Sequence, residues 1–253
     1  MESKKSSLAS STPNISPSAQ GLTQFQGFWI PTRIAPISSI ISFQKYFQAL
    51  DEDIIVASNP KAGTTWLKAL VFTIVNRHSY KLSNTPLNSA NPHQLISHFE
   101  IKFYKENLNP DLSKIPSPRG EESYGPFWEH ALGYWNMSME KPSNILFMRY
   151  EELKEDPVAQ TKRLAEFLGF PFSIEEEKTG VVNQIIDFCS FNHLKELEVN
   201  KTGKMPRSII PSNKLFFRSG KVGDYINYLS PTAVELLSNV LKEKLSESSL
   251  TFN

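Results

Sequence analysis

One turn constrains this chain more than any other stretch. Residues 54–70 read Ile-Ile-Val-Ala-Ser-Asn-Pro-Lys-Ala-Gly-Thr-Thr-Trp-Leu-Lys-Ala-Leu. The apolar run Ile54 to Ala57 has the length of a buried strand, and Pro60, Lys61 and Gly63 break it. Thr64 and Thr65 then open a helix whose apolar face carries Leu67, Leu70, Val71, Ile74 and Val75. A tight loop between a strand and a helix start gathers backbone N–H groups that have no helical acceptor, and the helix dipole favours an anion there. Lys61 adds a positive charge and the two threonines add hydroxyls. The turn is a phosphate cradle in design.

The order of residues in the cradle is informative. A Walker A loop reads GxxxxGK[ST], with Lys after the second Gly and a Mg²⁺-binding hydroxyl next. Here Lys61 precedes Gly63, and no other Gly lies upstream in the loop. That order, with no Asp-based Mg²⁺ motif, argues against a nucleotide kinase.

A chain of 253 residues is long enough for one domain with a sizeable core. Apolar residues at 40% and charged residues at 21% fit a soluble globular protein. A net charge of +1 gives no reason to expect nucleic acid or an anionic membrane as partner. Cys189 is the single cysteine, so no intrachain disulfide forms, which fits a reducing, cytoplasmic compartment. No apolar run is long enough to span a bilayer. Residues 1–22 are rich in Ser and Pro and are expected to form a disordered tail, with a single domain over residues 23–253. A transit peptide is disfavoured because no arginine precedes Arg33.

The rest of the chain alternates strand and helix signals. Ile37 to Leu50 has helical apolar spacing, and Ile145 to Met148 reads as a second buried strand. Asp156-Pro157 and Ser230-Pro231 each pair an N-cap with a proline at the first helical position. The first of these helices stops at Gly169. The second carries Val234, Leu237, Val240, Leu241 and Leu245. Such alternation predicts an α/β fold, three-layered, with a mainly parallel sheet.

The cradle order PKxGTTW resembles the 5′-phosphosulfate loop of cytosolic sulfotransferases, which use 3′-phosphoadenosine 5′-phosphosulfate (PAPS). Further segments resemble the plant branch of that family. They are Gln26-Gly-Phe-Trp with Phe43-Gln-Lys-Tyr-Phe-Gln-Ala; Gly125-Pro-Phe-Trp-Glu-His with Gly133-Tyr-Trp; and Phe147-Met-Arg-Tyr-Glu-Glu-Leu-Lys-Glu-Asp-Pro. Cys189-Ser-Phe-Asn, Leu197-Glu-Val-Asn-Lys-Thr-Gly and Phe216-Phe-Arg-Ser-Gly-Lys-Val-Gly-Asp complete the set. The resemblance implies sulfuryl transfer to a hydroxyl of a small acceptor of flavonoid, steroid or desulfo-glucosinolate type, with no metal. It also implies residue roles. Lys61, Ala62, Gly63, Thr64, Thr65 and Trp66 hold the 5′-phosphosulfate and part of the adenine, and Lys61 is the catalytic cation at the leaving phosphate oxygen. Tyr150, Ser190 and Phe191 shape the adenine pocket, and Phe217 lies against the base. Arg218, Ser219 and Gly220 stand at the 3′-phosphate.

The departures from the family pattern matter as much. Ala62 stands where the family has Ser, and Ser219 where it has Lys. Each charge-assisted hydrogen bond is worth roughly 1.5–3 kcal/mol, so losing one or two weakens nucleotide binding by about one to three orders of magnitude. The largest departure is a gap. After Ile115-Pro-Ser-Pro-Arg the family runs through a strand ending in Thr-His, whose His is the catalytic base. A second strand then ends in Arg-Asn-Pro-Lys-Asp, whose Arg, with a Ser on the next helix, binds the 3′-phosphate. In this chain Arg119 is followed at once by Gly120-Glu-Glu-Ser-Tyr, and neither motif occurs anywhere. The sheet is therefore expected to be incomplete. Two function classes follow: an active sulfotransferase, or a catalytically inactive truncated relative, either a pseudoenzyme or a nucleotide-binding remnant. Each of the five histidines reads first as a structural or solvated residue; as a substitute for the lost base, location alone favours His93 or His98, which flank the segment where the family lines its acceptor pocket.

Overall fold

The computed structural model describes residues 22–26, 28–32, 35–48, 53–59, 62–96, 119–121, 127–204 and 211–252. Residues 1–21 of the expected tail, Lys61 and His98 lie outside these residues, and Leu22, the tail's expected last residue, is in a strand. The chain begins with an antiparallel pair, β1 (Leu22–Phe25) and β2 (Phe28–Pro31), followed by α1 (Ile37–Tyr46). Next come β3 (Ile55–Ala57), the cradle turn and α2 (Thr64–Asn76), as the sequence predicts. A short 3₁₀ turn, Pro86–Asn88, leads to α3 (Pro92–Leu95), and β4 (Arg119–Glu121) follows.

The second half of the described chain is helical: α4 (Phe127–Glu140), α5 (Tyr150–Glu155), α6 (Pro157–Phe167), α7 (Ile174–Lys178), α8 (Val181–Phe188), α9 (Phe191–Glu196), α10 (Glu198–Lys201) and α11 (Pro231–Leu245). The predicted start signals operate as read. Asp156 accepts the Ala159 N–H at 2.9 Å, and Ser230 accepts the Ala233 N–H at 3.2 Å.

The class is α/β, and the sheet is small. β3 pairs in parallel with β4, in the register Ile55↔Arg119, Val56↔Gly120, Ala57↔Glu121. β4 falls at the point where the sequence departs from its family pattern, and its Arg-Gly-Glu sequence lacks the β-branched residues that favour strands. Its backbone supplies the ladder partners that one edge of β3 requires. The strand predicted for Ile145 to Met148 does not form. That run has no assigned strand pairing, so its backbone enters no ladder among the described residues. Leu146 and Met148 still pack on the main core, so burial there comes without pairing.

That core surrounds α2. Ala69, Leu70, Val71 and Ile74 are buried against Val56 of β3, Leu164 and Ala165 of α6, and Ile185 and Phe188 of α8. The sequence predicts one wide apolar face for α2, yet Thr64, Lys68 and Thr73 are buried as well. Lys68 is two residues from Leu70, about 200° around the helix, so burying both takes neighbours on opposite sides. α6 and α8 pack on α2, and so does α3.

A candidate sulfonucleotide site

Gly63 is the N-cap of α2 and adopts φ 96°, in the left-handed region open to glycine. A Cβ there would fall 2.7 Å from Tyr150 Cδ2, so Tyr150 lies directly against the turn. The Ala62 N–H donates to Asn59 O at 3.1 Å and the Leu67 N–H to Gly63 O at 3.0 Å, which closes the turn and begins the helix. The N–H groups of Thr64, Thr65 and Trp66 belong to the first turn, where helix geometry offers them no acceptor.

The two threonines divide the work. Thr64 Oγ1 sits 2.5 Å from Ser58 Oγ and donates to Asn59 O at 3.3 Å, fastening α2 to the end of β3. Thr65 Oγ1 instead meets His93 Nε2 at 2.9 Å. On the other side of the ring, His93 Nδ1 lies 3.3 Å from Lys68 Nζ. Lys68 is 0% exposed and His93 4%.

Trp66 meets Tyr150 edge to face at 5.7 Å, with the Lys154 ammonium 5.7 Å from the Trp66 ring centre. Trp66 Nε1 is buried and has no hydrogen-bond partner among the described residues. Burial, and after it the Glu151 carboxylate, push the Tyr150 hydroxyl above its ordinary pKa, so it stays a neutral donor.

The remaining predicted residues join through aromatic contacts. His93 stacks on Phe216 at 4.3 Å, and the neighbouring Phe217 meets Phe191 at 5.9 Å. A Cβ on Gly220, which has φ 68°, would lie 2.6 Å from the Phe191 ring. Ser190 Oγ is the N-cap of α9 and accepts the His193 N–H at 3.2 Å. Its side chain therefore has a structural use in addition to any ligand contact. Arg218 Nη2 lies 2.9 Å from Asp224 Oδ2, and its guanidinium stacks on Tyr228 at 4.8 Å. Ser219 and Gly220 continue the same loop at intermediate exposure.

The structure thus gathers Gly63 and Thr64 to Trp66 with Tyr150 at one end, and Phe191, Phe217 and Gly220 at the other. His93 and Phe216 link the two ends. Lys68 and Phe216 were missed as members of this group. One signal for Lys68 was present: Thr65 and Lys68 stand three residues apart, so they share a face of an otherwise apolar helix. The other described histidines have other surroundings. His78 is largely exposed and 3.9 Å from Glu176, His130 packs on Phe28 at 4.7 Å, and His193 on Phe188 at 4.7 Å.

This arrangement of a strand, a glycine-capped turn, a helix and a group of aromatic rings has relatives. A family model described as the sulfotransferase domain matches residues 51–120 and 119–249. Cytosolic sulfotransferase 15 of Arabidopsis thaliana is 40% identical over 294 residues, covering 90% of this chain and 81% of that one. Cytosolic sulfotransferase 6 of the same plant is 37% identical, covering 99% of this chain and 95% of its own. A crystal structure of an Arabidopsis thaliana sulphotransferase matches with a TM-score of 0.67 at 30% identity, covering 92% of this chain and 89% of that chain. A mouse sulfotransferase complexed with PAP matches with a TM-score of 0.65, covering 90% and 95%, and at 19% identity it speaks to fold alone. The chain belongs to the sulfotransferase family, in its plant cytosolic branch. Sulfuryl transfer is accordingly its class of chemistry.

Proposed function

We propose that this chain binds PAPS along the line from the cradle to Gly220 and transfers its sulfuryl group to a hydroxyl of a small acceptor. The single observation that carries this reading is the assembly just described: a hydrogen-bonded turn joined through His93, stacked on Phe216, to the Phe191–Phe217–Gly220 corner. The residues present fit such a ligand. The first-turn amides and the Thr65 hydroxyl are anion donors, and the Trp66 Nε1 donor awaits an acceptor. Lys61 supplies the cation at the bridging oxygen of the 5′-phosphate. In the transfer an oxygen–sulfur bond forms at the acceptor as the bond from sulfur to that phosphate oxygen breaks, and the hydroxyl proton passes to a base. The acceptor falls in the flavonoid, steroid or desulfo-glucosinolate classes. The relatives named cytosolic support a cytoplasmic setting. Among the described residues no helix is long and apolar enough to cross a membrane, and no cluster of side chains suits a metal ion.

A second reading, an inactive nucleotide-binding remnant, has its own observation. The family match comes in two pieces that meet at residues 119–120, and an alignment of 294 positions exceeds the 253 residues of this chain. Both fit the loss of the block that carries the family's catalytic His. Calorimetry with PAP and transfer of labelled sulfate from PAPS to an acceptor panel separate the readings. Micromolar binding with turnover, lowered on the order of 10²-fold or more by Lys61→Ala, supports the enzyme. Binding without turnover selects the remnant, and no binding defeats both.

A further inference from the structure

At the start of α2, the half-buried Thr65 and the buried Lys68 and His93 form a chain of polar side chains. Thr65 and Lys68 stand one above the other on the helix, and the His93 ring bridges them, Nε2 to Thr65 Oγ1 at 2.9 Å and Nδ1 to Lys68 Nζ at 3.3 Å. Phe216 stacks on the ring at 4.3 Å, and the His93 backbone is fixed by Asn91, which caps α3 by accepting the His93 backbone N–H at 2.9 Å. Asn91 is itself anchored, donating to Asn200 Oδ1 at 2.8 Å. With Lys68 as an ammonium, which donates and cannot accept, the bond at Nδ1 is donated by Lys68. A neutral ring then carries its proton on Nε2 and donates to Thr65 Oγ1, which leaves the hydroxyl's own hydrogen for another acceptor.

We infer that His93, oriented by Lys68, is a positioning residue that fixes the Thr65 hydroxyl as a donor to the anion in the cradle. The inference rests on the sulfonucleotide reading above for the identity of that anion. It also assigns His93 a role other than the general base of the lost block, because both ring nitrogens are committed to protein partners.

Two measurements test it. The imidazole ¹⁵N spectrum of the ligand-free protein is expected to show His93 protonated on Nε2 and bare on Nδ1; the opposite tautomer overturns the inference. Calorimetry with PAP on His93→Leu, His93→Gln, Thr65→Val and the double variant His93→Leu/Thr65→Val reads the coupling. His93→Leu is expected to weaken PAP binding about 2- to 12-fold, the range of one neutral hydrogen bond. His93→Gln, whose amide N–H can replace the Nε2 donor, stays within about 2-fold of wild type. In the Thr65→Val background His93→Leu should have no further effect. An undiminished effect there assigns His93 a packing role alone and overturns the inference. If His93→Leu does not fold, the glutamine variant and the tautomer decide. If wild-type protein does not bind PAP, the nucleotide reading and the ligand half of this inference fall together, while the tautomer still tests the Lys68–His93–Thr65 order.

Discussion

α2 and α11 are both long helices with apolar residues at helical spacing, and the fold treats them differently. α2 is enclosed. Leu70 and Ile74 are almost completely buried, and Lys68, on the far side, is buried too because α3 covers it. α11 docks by its C-terminal end. Leu241 and Leu245 pack on Ala131, Trp128 and Leu132 of α4, whereas Leu236 and Leu237 remain 64% and 45% exposed. Ile226, Tyr228 and Leu229, just before α11, are exposed as well. Periodicity therefore states what a helix can bury, and its neighbours decide what it does bury. The same contrast runs through the site. In the proposed site the end at α2 is built from mutually bonded side chains, with Thr64, Lys68 and His93 buried, and the other end hangs on a half-exposed arginine.

The largest expected effect tests this contrast directly. Ile185→Ala removes a side chain packed against α2 and is expected to cost about 2–5 kcal/mol. Leu237→Ala should change stability by no more than about 0.5 kcal/mol. At this chain length each kcal/mol shifts the melting temperature by about 2–4 °C, so thermal melts of the two variants resolve the difference. Equal shifts would mean that the exposed face of α11 is covered in solution.

The next effect concerns the cradle. Gly63→Ala forces an alanine to φ 96° and sets its Cβ 2.7 Å from Tyr150 Cδ2. The backbone cost alone is about 1–3 kcal/mol. Denaturant unfolding of Gly63→Ala with Tyr150 intact and with Tyr150→Leu separates the clash, which the second change relieves, from the strain, which it leaves. If the two backgrounds give one value, the tyrosine yields and the close approach has no energetic weight.

These tests also mark what was legible in the sequence. β3, the start of α2 and the two Asx/Ser-Pro helix starts were readable because each depends on local chemistry within a few residues. The unpaired Ile145 to Met148 run was not, since pairing requires a strand from elsewhere in the chain. Nor was the burial of Lys68. Its partner His93 lies 25 residues away, and a lysine on an amphipathic helix ordinarily marks the wet side. For the candidate site, residue types in order proposed its members. Only the fold shows that Thr64 fastens the turn while Thr65 faces His93.

Acid should expose another part of the enclosed region. Arg77, at the end of α2, donates to Glu176 Oε1 at 2.8 Å and to Pro171 O at 2.8 Å. The Arg77 hydrogen bond to Glu176, with that from the Ser173 N–H, outweighs burial and holds the Glu176 carboxyl down to about 2. A lowered pKa contributes stability that is present above the unfolded value and lost as pH falls through the folded one. The pair's contribution should therefore fade between about 4.5 and about 2. Arg77→Met is expected to flatten that part of the stability–pH curve. An unchanged slope would show that the pair does not control it.

The smallest stability effect belongs to Arg218, and there affinity is the informative readout. Its side chain is 50% exposed although that of its Asp224 partner is only 10% exposed, and solvent screening of the guanidinium keeps such a pair to about 1 kcal/mol at most. Arg218→Ala should therefore melt almost as wild type. Its affinity for PAP should nevertheless fall by about 10-fold, a charge-assisted contact discounted for exposure. A ligand without the 3′-phosphate, adenosine 5′-phosphosulfate, should bind the variant and the wild type equally, because the arginine addresses that phosphate alone. Ser219→Lys, which restores the charge usual at this position in the family, should raise PAP affinity and leave the shorter ligand unaffected. Were Arg218→Ala to weaken both ligands alike, the arginine would be acting through the Tyr228 and Asp224 corner of the fold. The 3′ end would then have no dedicated phosphate contact left, and the contrast between the two ends of the site would be sharper than the structure alone makes it.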